Sequence, residues 1–305
     1  MNTTRQSDEK DEGAAARAAG SLRALAARVR RHRTALLVAA LVAACACYAL
    51  PGVLAQSAAL AVVGVLAAGL ARAGALARPG RNGRTAPDVR ASGADEGRRR
   101  APGAAATSGW VLLVGAVGGC ATLAAHGASG ASVLAGAAAA FDPPLLCAVV
   151  ATCLFTGLFE EGVLRVAAVE AALDAFGREG RGPLAAAAAS AVLFGLLHLS
   201  LSDASAAATL GAVAWAQLLV KPVQAALFGF CLAGVYLQTR SLWPVAGVHA
   251  LFDALYLGPA MLTGGSLQVA YVTGAPSDLA VLAAATLLLV PAVVVEARRL
   301  ARLRR

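Results

Sequence analysis

Glu160, Glu161 and Arg165 stand in the stretch Phe159-Glu160-Glu161-Gly162-Val163-Leu164-Arg165, with apolar flanks from Leu145 to Gly157 and from Val166 to Leu173. A charged side chain near the centre of a bilayer costs about 2.5–3.5 kcal/mol on insertion scales, so three together require mutual pairing, a wet cavity or chemistry. On a helix, Glu161 and Arg165 are four apart with the acid nearer the N-terminus, the favourable order for an ion pair, while Glu160 points about 100° away. Glu160 is then left poorly solvated with no local counter-charge, the setting in which a carboxylate serves as a general base. The bland alternative is a buried network that holds helices together.

Two further elements carry imidazoles: Phe194-Gly195-Leu196-Leu197-His198, and His249-Ala250-Leu251-Phe252-Asp253. Residues i and i+4 share a helix face, so His249 and Asp253 present two polar groups to one point. A lone histidine in an apolar helix is more often a hydrogen-bonded core residue than a ligand. Two on apolar segments, each needing a buried partner of the kind Glu160 or Asp253 supplies, shift the balance toward a site.

Composition defines what must position these groups. The chain has 305 residues, 59% hydrophobic and 14% charged, with a mean hydropathy of +0.70; this is the profile of a polytopic membrane protein. Apolar runs of roughly 17–25 residues without alternation exclude a transmembrane barrel and predict an all-α bundle. Eight crossings are expected, at about Thr34–Leu50, Val53–Ala71, Gly109–Ala125, Pro143–Phe176, Leu184–Leu201, Val223–Thr239, Leu242–Leu262 and Asp278–Glu296. Pro51-Gly52 reads as the turn of a hairpin spanning 34–71, and Asp142 before Pro143-Pro144 as a helix start. The interval from Asp203 to Val220, which ends at Lys221-Pro222, reads as a lateral or re-entrant element.

Three segments lie outside the crossings: a basic N-terminal stretch, 1–33; an Arg/Gly/Pro-rich loop, 72–108, expected to be disordered; and a basic tail, 297–305. With the N-terminus inside, 24 of the 26 basic residues fall in inner loops and none in the loops predicted to be outer, so both termini are expected on the cytoplasmic side of an inner (plasma) membrane. The exceptions are Arg165 and Lys221, the latter read as snorkelling to the outer interface. The net charge of +9 lies in membrane-flanking loops without interleaved aromatics, which favours anionic lipid headgroups over nucleic acid as the partner. The six cysteines form no CxxC pair and read as small apolar residues.

The ordered set Glu160-Glu161-x-x-x-Arg165, Phe194-x-x-x-His198 and His249-x-x-x-Asp253 resembles the motifs of the CPBP intramembrane endopeptidases, also called the Abi or CAAX-protease and bacteriocin-processing family. Leu227-Phe228-Gly229-Phe230 through Ser241-Leu242-Trp243-Pro244 resembles that family's glycine-containing helix and following turn. The resemblance covers about 143–257, within a membrane domain spanning 109–296. It implies hydrolysis of a peptide bond in a membrane-associated protein or peptide, at a site inside the helix bundle. By that resemblance Glu160 and His198 position and deprotonate water, His249 and Asp253 act on the tetrahedral intermediate, and Glu161 with Arg165 supports them. The last position is often Asn in the family. An ionised Asp253 cannot donate to an oxyanion, so it must be protonated, orient His249 or bind a cation. His198, His249 and Asp253 would be the ligands if a divalent metal such as zinc is used, with Glu160 as base.

Helix arithmetic places Glu160 roughly 25 Å along its helix from Pro143 and His249 about 10 Å from Leu242, which meets near the inner half of the membrane. His198, about 21 Å from Leu184, joins them only if its helix starts below the surface. Two rival functions are a catalytically silent scaffold of the same fold and a proton-coupled transporter; the absence of an evident inverted repeat weighs against the second.

Overall fold

The computed structural model describes residues 32–76, 86–125, 142–264 and 266–302. Helices occupy Arg33–Cys47 (α1), Val53–Leu76 (α2), Ala86–Ala125 (α3), Pro143–Glu160 (α4), Ala168–Phe176 (α5), Gly182–Leu196 (α6), Leu201–Leu210 (α7), Ala212–Thr239 (α8), Leu242–Tyr256 (α9), Gly258–Gly264 (α10) and Pro276–Arg302 (α11). A π-helical turn, Glu161–Ala167, joins α4 to α5, and the described residues include no strand. The all-α membrane architecture is as the composition predicts.

Five helices are long and apolar enough to cross a bilayer, and seven spans result if the bent pairs α6–α7 (58°) and α9–α10 (46°) each count as one. The expected crossing that is not among these is the first, Thr34–Leu50, which corresponds to α1 with 15 residues; at 1.5 Å per residue it is shorter than a 30 Å hydrocarbon core. Pro51-Gly52 does close the hairpin, with Gly52 at φ 82° and Gln56 Nε2 donating to the Leu50 carbonyl at 2.8 Å. Asp142 caps α4 by accepting from the Leu145 amide at 3.4 Å.

Two stretches depart from expectation. Of the segment 72–108, residues 77–85 lie outside the described set, but 86–108 already belong to the helix α3. Tertiary contacts hold its last part: Arg299 Nη1 donates to the Gly103 carbonyl at 2.9 Å, and Thr107 hydrogen-bonds the fully buried Glu296. The second is Lys221-Pro222, which does not end an element. The break falls at Gly211 (φ 90°), and α8 runs 28 residues straight through Pro222. α6 packs closely on the turn that lacks a Pro222 N–H, since a Cβ at Gly195 would lie 2.6 Å from the Pro222 carbonyl oxygen. The expected N-terminal segment up to Arg31, the outer loop over 126–141 and the tail over 303–305 fall outside the described residues.

The centre of the bundle is α8, with 61% of its most apolar window buried against 22–33% for the other four long helices. It packs on α6, α11, α3, α7 and α9. Large apolar residues such as Val62, Leu66, Leu113, Leu219 and Leu287 are exposed on the outer helix faces, as expected where the surrounding solvent is lipid. At one end, helix termini predicted to lie on the same side of the membrane meet on a single carboxylate. Glu170 accepts from Arg33 Nη1 (3.1 Å), Arg178 Nη2 (2.5 Å), Arg240 Nη1 (3.0 Å) and Tyr236 Oη (3.0 Å). This node ties α1, α5 and the C-terminus of α8 together.

The hairpin also docks tightly against the charged segment. A Cβ at Gly162 would lie 2.2 Å from the Gly64 carbonyl oxygen, and one at Gly64 2.5 Å from Phe159 Cα, so the two backbones touch where only hydrogens fit. Gly162→Val is therefore expected to push α2 off the π-helical turn at a cost of about 1–3 kcal/mol, the usual range for overpacking. Thermal unfolding of the detergent-solubilised protein would read this as a lowered midpoint, and an unchanged midpoint would contradict the packing described.

Candidate active site

The π-helical turn sets the position of the acids. Each residue in such a turn advances the chain less than in an α-helix, and these turns recur at functional sites. One of the carbonyls it displaces, that of Leu164, is satisfied by Ser190 Oγ of α6 at 2.5 Å. On the α4 side Cys153, Thr156 and Glu160 line a common cavity, spaced as one face of a helix requires. Glu161 and Arg165 point the other way and are wholly buried, with Arg165 Nε 3.3 Å from Glu161 Oε2. The expected i, i+4 pair is present.

Glu160 is not as isolated as helical geometry alone suggested. Glu160 and Glu161 reach the same imidazole from opposite sides: His249 Nδ1 lies 2.8 Å from Glu161 Oε1, and His249 Nε2 lies 3.5 Å from Glu160 Oε2. Asp253 Oδ2, one turn further along α9, is also 3.5 Å from Nε2. A carboxylate only accepts, so Nδ1–H donates to Glu161 and fixes the ring plane. The Phe228 ring meets that imidazole edge-on at 4.9 Å.

His198 is reached differently from expectation. Its helix, α6, ends at Leu196, and His198 sits in the turn at the 58° bend before α7. The Phe194 carbonyl accepts a hydrogen bond from Nδ1 at 2.9 Å. That assigns the hydrogen to Nδ1 and leaves the Nε2 lone pair as an acceptor. Phe194 itself joins the parts: its ring lies 4.6 Å from that of His198, 6.1 Å from that of His249, and under the Arg165 guanidinium at 4.1 Å. Gly229 completes the arrangement from α8, since a Cβ there would lie 2.7 Å from Arg165 Nη2. Its small size serves the guanidinium, and not only helix contact.

Glu160, His198, His249 and Asp253 thus open onto one cavity of about 290 Å³. Part of its lining was not anticipated. Tyr48, Gln56 and Ser57 come from the N-terminal hairpin and Tyr271 from the segment before α11. Lys221 lines it too, in place of the expected snorkelling to an interface. The available signal was charge bookkeeping: Lys221 and Arg165 are the basic residues that the topology cannot place in an inner loop. Arg165 and Lys221 both turn out to belong to this region of the bundle.

Among the described residues, no three His, Cys, Asp or Glu side chains converge as a metal-ion ligand set. The carboxylates are instead gathered on the His249 ring, so the trio His198, His249 and Asp253 does not fit a zinc centre in this arrangement.

Residues 142–255 match the family model for type II CAAX prenyl endopeptidase Rce1-like. This segment is similar to the CPBP family of CAAX-type proteases. The matched interval runs from the cap of α4 almost to the end of α9 and contains all six residues singled out from the sequence, whereas α1–α3, α10 and α11 lie outside it. No curated protein and no solved structure matches the chain. That likeness, in a bundle with five helices long and apolar enough to cross a membrane, points to a membrane-associated peptide hydrolase.

Proposed function

We propose that the protein is an intramembrane endopeptidase that cleaves a membrane-associated protein or peptide with water activated by Glu160 and His198. The observation that carries this reading is the shared cavity: an acid from α4, an imidazole from the α6–α7 bend and the His249/Asp253 pair from α9 all line it. Water held between Glu160 and the free Nε2 lone pair of His198 is oriented by one acceptor and deprotonated by the other. Attack on the scissile carbonyl moves negative charge onto its oxygen. His249 is the group to meet that charge as an imidazolium: Glu161 holds its Nδ1–H, and its Nε2–H is left facing the cavity side of the ring.

Asp253 has a defined place in this scheme. As a carboxylate 3.5 Å from His249 Nε2 it attracts the proton there and orients the ring, and it makes no bond to the oxyanion itself. Glu160 then returns its proton to the leaving amine. The protein sits in the inner membrane with both termini cytoplasmic, a reading supported by the positive-inside pattern and by the convergence of Arg33, Arg178 and Arg240 at one end of the bundle.

The test is cleavage of membrane-associated peptides by the purified protein in liposomes. His198→Ala is expected to lower kcat by about 100- to 10,000-fold, the usual span for loss of an acid–base partner, with a smaller effect on KM. A parent protein that cleaves nothing while remaining folded would favour a silent scaffold. Equal turnover by the parent and His198→Ala would overturn the assignment of the water-binding pair.

A further inference from the structure

Among the described residues, the cavity has its rim at one end of the bundle. From Glu160 the lining runs back along α4 to Thr152, from Phe228 back along α8 to Lys221, and from His249 forward along α9 to Leu257. The first two turns of α2, Val53 to Leu60, face the same space. On each helix these residues lie between the catalytic groups and the end that carries the hairpin turn and the segment before α11. Tyr48 of that turn and Gln268 of that segment both line the cavity and are exposed. They form its rim.

The opposite end is closed. Every residue of the π-helical turn, Glu161–Ala167, is buried, and the backbone contact of Gly64 with Gly162 seals its α2 side. The buried Phe194 ring lies under the Arg165 guanidinium. Beyond that layer, Arg33, Arg178 and Arg240 converge on Glu170. Charge divides the two ends in the same way. Residues 48–56, 197–211 and 266–278, at the rim end, contain no Arg or Lys. The closed end carries Arg33, Arg178, Arg181, Arg240, Arg298 and Arg299. Arginines beside membrane spans stay on the cytoplasmic side, which puts the rim at the other face.

We infer that water and substrate enter the cavity from the non-cytoplasmic face, and that the bond cleaved lies in an extracytoplasmic juxtamembrane stretch of a membrane-anchored polypeptide. This rests on the endopeptidase reading for the cleavage and on the cytoplasmic placement of both termini for the sidedness. Thr152 to Glu160 is about 12 Å of helix. An extended chain covers that depth in about four residues, so a short unwound stretch beside the anchor is sufficient to reach the acids. A chain confined to the cytoplasm meets the buried floor and the Glu170 node instead.

Accessibility separates this inference from the chemistry. The full chain carrying Thr156→Cys, on the cavity wall of α4, is treated with a membrane-impermeant trimethylammonium methanethiosulfonate in right-side-out and in inverted vesicles. Labelling is read by mass spectrometry of the peptide concerned, so the natural cysteines stay in place. Thr156→Cys is expected to react at least about tenfold faster in right-side-out vesicles, because a fixed charge does not cross the hydrocarbon core. Gln56→Cys, on the facing wall, repeats the measurement in a second variant, and the exposed Arg298→Cys should show the reverse preference. Faster reaction of the wall cysteines in inverted vesicles, equal rates from both sides, or no reaction from either would overturn the proposal. Turnover of single-helix substrates with a cleavable extension on the outer or the inner side tests the endopeptidase reading separately. Outer labelling with neither extension cleaved would leave the entrance and remove the protease, whereas cleavage of the inner extension alone would keep the protease and overturn the entrance.

Discussion

Glu160→Gln is expected to reduce peptide cleavage by about 100- to 10,000-fold, the range that loss of a positioned general base produces. Glutamine keeps the length of the side chain and an acceptor oxygen, so Nε2 of His249, 3.5 Å from Glu160 Oε2, still has a partner there. What disappears is the capacity to take a proton from water. The glutamate side chain is 21% exposed, toward the cavity, so its neutralisation leaves no unpaired charge and the fold is expected to persist. The measurement is single-turnover cleavage in liposomes alongside a thermal midpoint. A slow rate with an unaltered midpoint is the expected result; a rate within a few-fold of the parent would transfer the base to another group and undo the mechanism.

Glu161→Gln should behave differently, although the two residues are neighbours in the chain. Glu161 has no exposure and bonds His249 Nδ1 at 2.8 Å while facing Arg165. Its loss acts through His249 and Arg165, and not through the water. The π-helical turn makes this division possible, because it lets consecutive carboxylates address the two nitrogens of one ring.

Local periodicity was sufficient for the parts of the site confined to one helix. Glu161 with Arg165 and His249 with Asp253 are i, i+4 pairs, and helical geometry alone places each on a shared face. The start of α4 at Asp142 and the hairpin turn at Pro51-Gly52 were equally local. What could not be read is what other elements impose. His198 reaches the cavity because α6 stops at Leu196 and the chain bends, which no apolar pattern marks. Pro222 stays helical where α6 packs against α8 at Gly195, although propensity alone would end the helix there. Tyr48, Gln56 and Ser57 line the cavity because Gly64 and Gly162 let two backbones touch, and neither glycine is distinguishable in sequence from the many others. Lys221 was misplaced for a related reason: a single lysine near a helix end is ordinarily an interfacial anchor. Here the helix continues past it and folds it inward.

Arg165→Met is expected to destabilise the protein by about 3–5 kcal/mol, the cost of breaking a buried ion pair by removing one member. Arg165 has no exposure, and Glu161 is its one ion-pair partner among the described residues, at 3.3 Å. The pair lacks hydrogen-bond alignment, and both Nη atoms are buried without an acceptor among the described residues. Its surroundings are the Phe194 ring at 4.1 Å and the backbone of Gly229. The guanidinium therefore acts chiefly as a charge, offsetting a third carboxylate around His249. Without it, Glu160, Glu161 and Asp253 share one imidazole, and the excess negative charge is confined in a medium that screens poorly. Methionine fills much of the volume, so the loss is electrostatic and not a cavity effect. The double variant Glu161→Gln with Arg165→Met removes both charges and should recover most of the lost stability, since a buried pair is often replaceable by neutral groups of similar size. Thermal midpoints of the parent, both single variants and the double variant in detergent would form a closed cycle. Additive losses would show that Arg165 serves another partner, and the carboxylate-balancing role would then have to be given up.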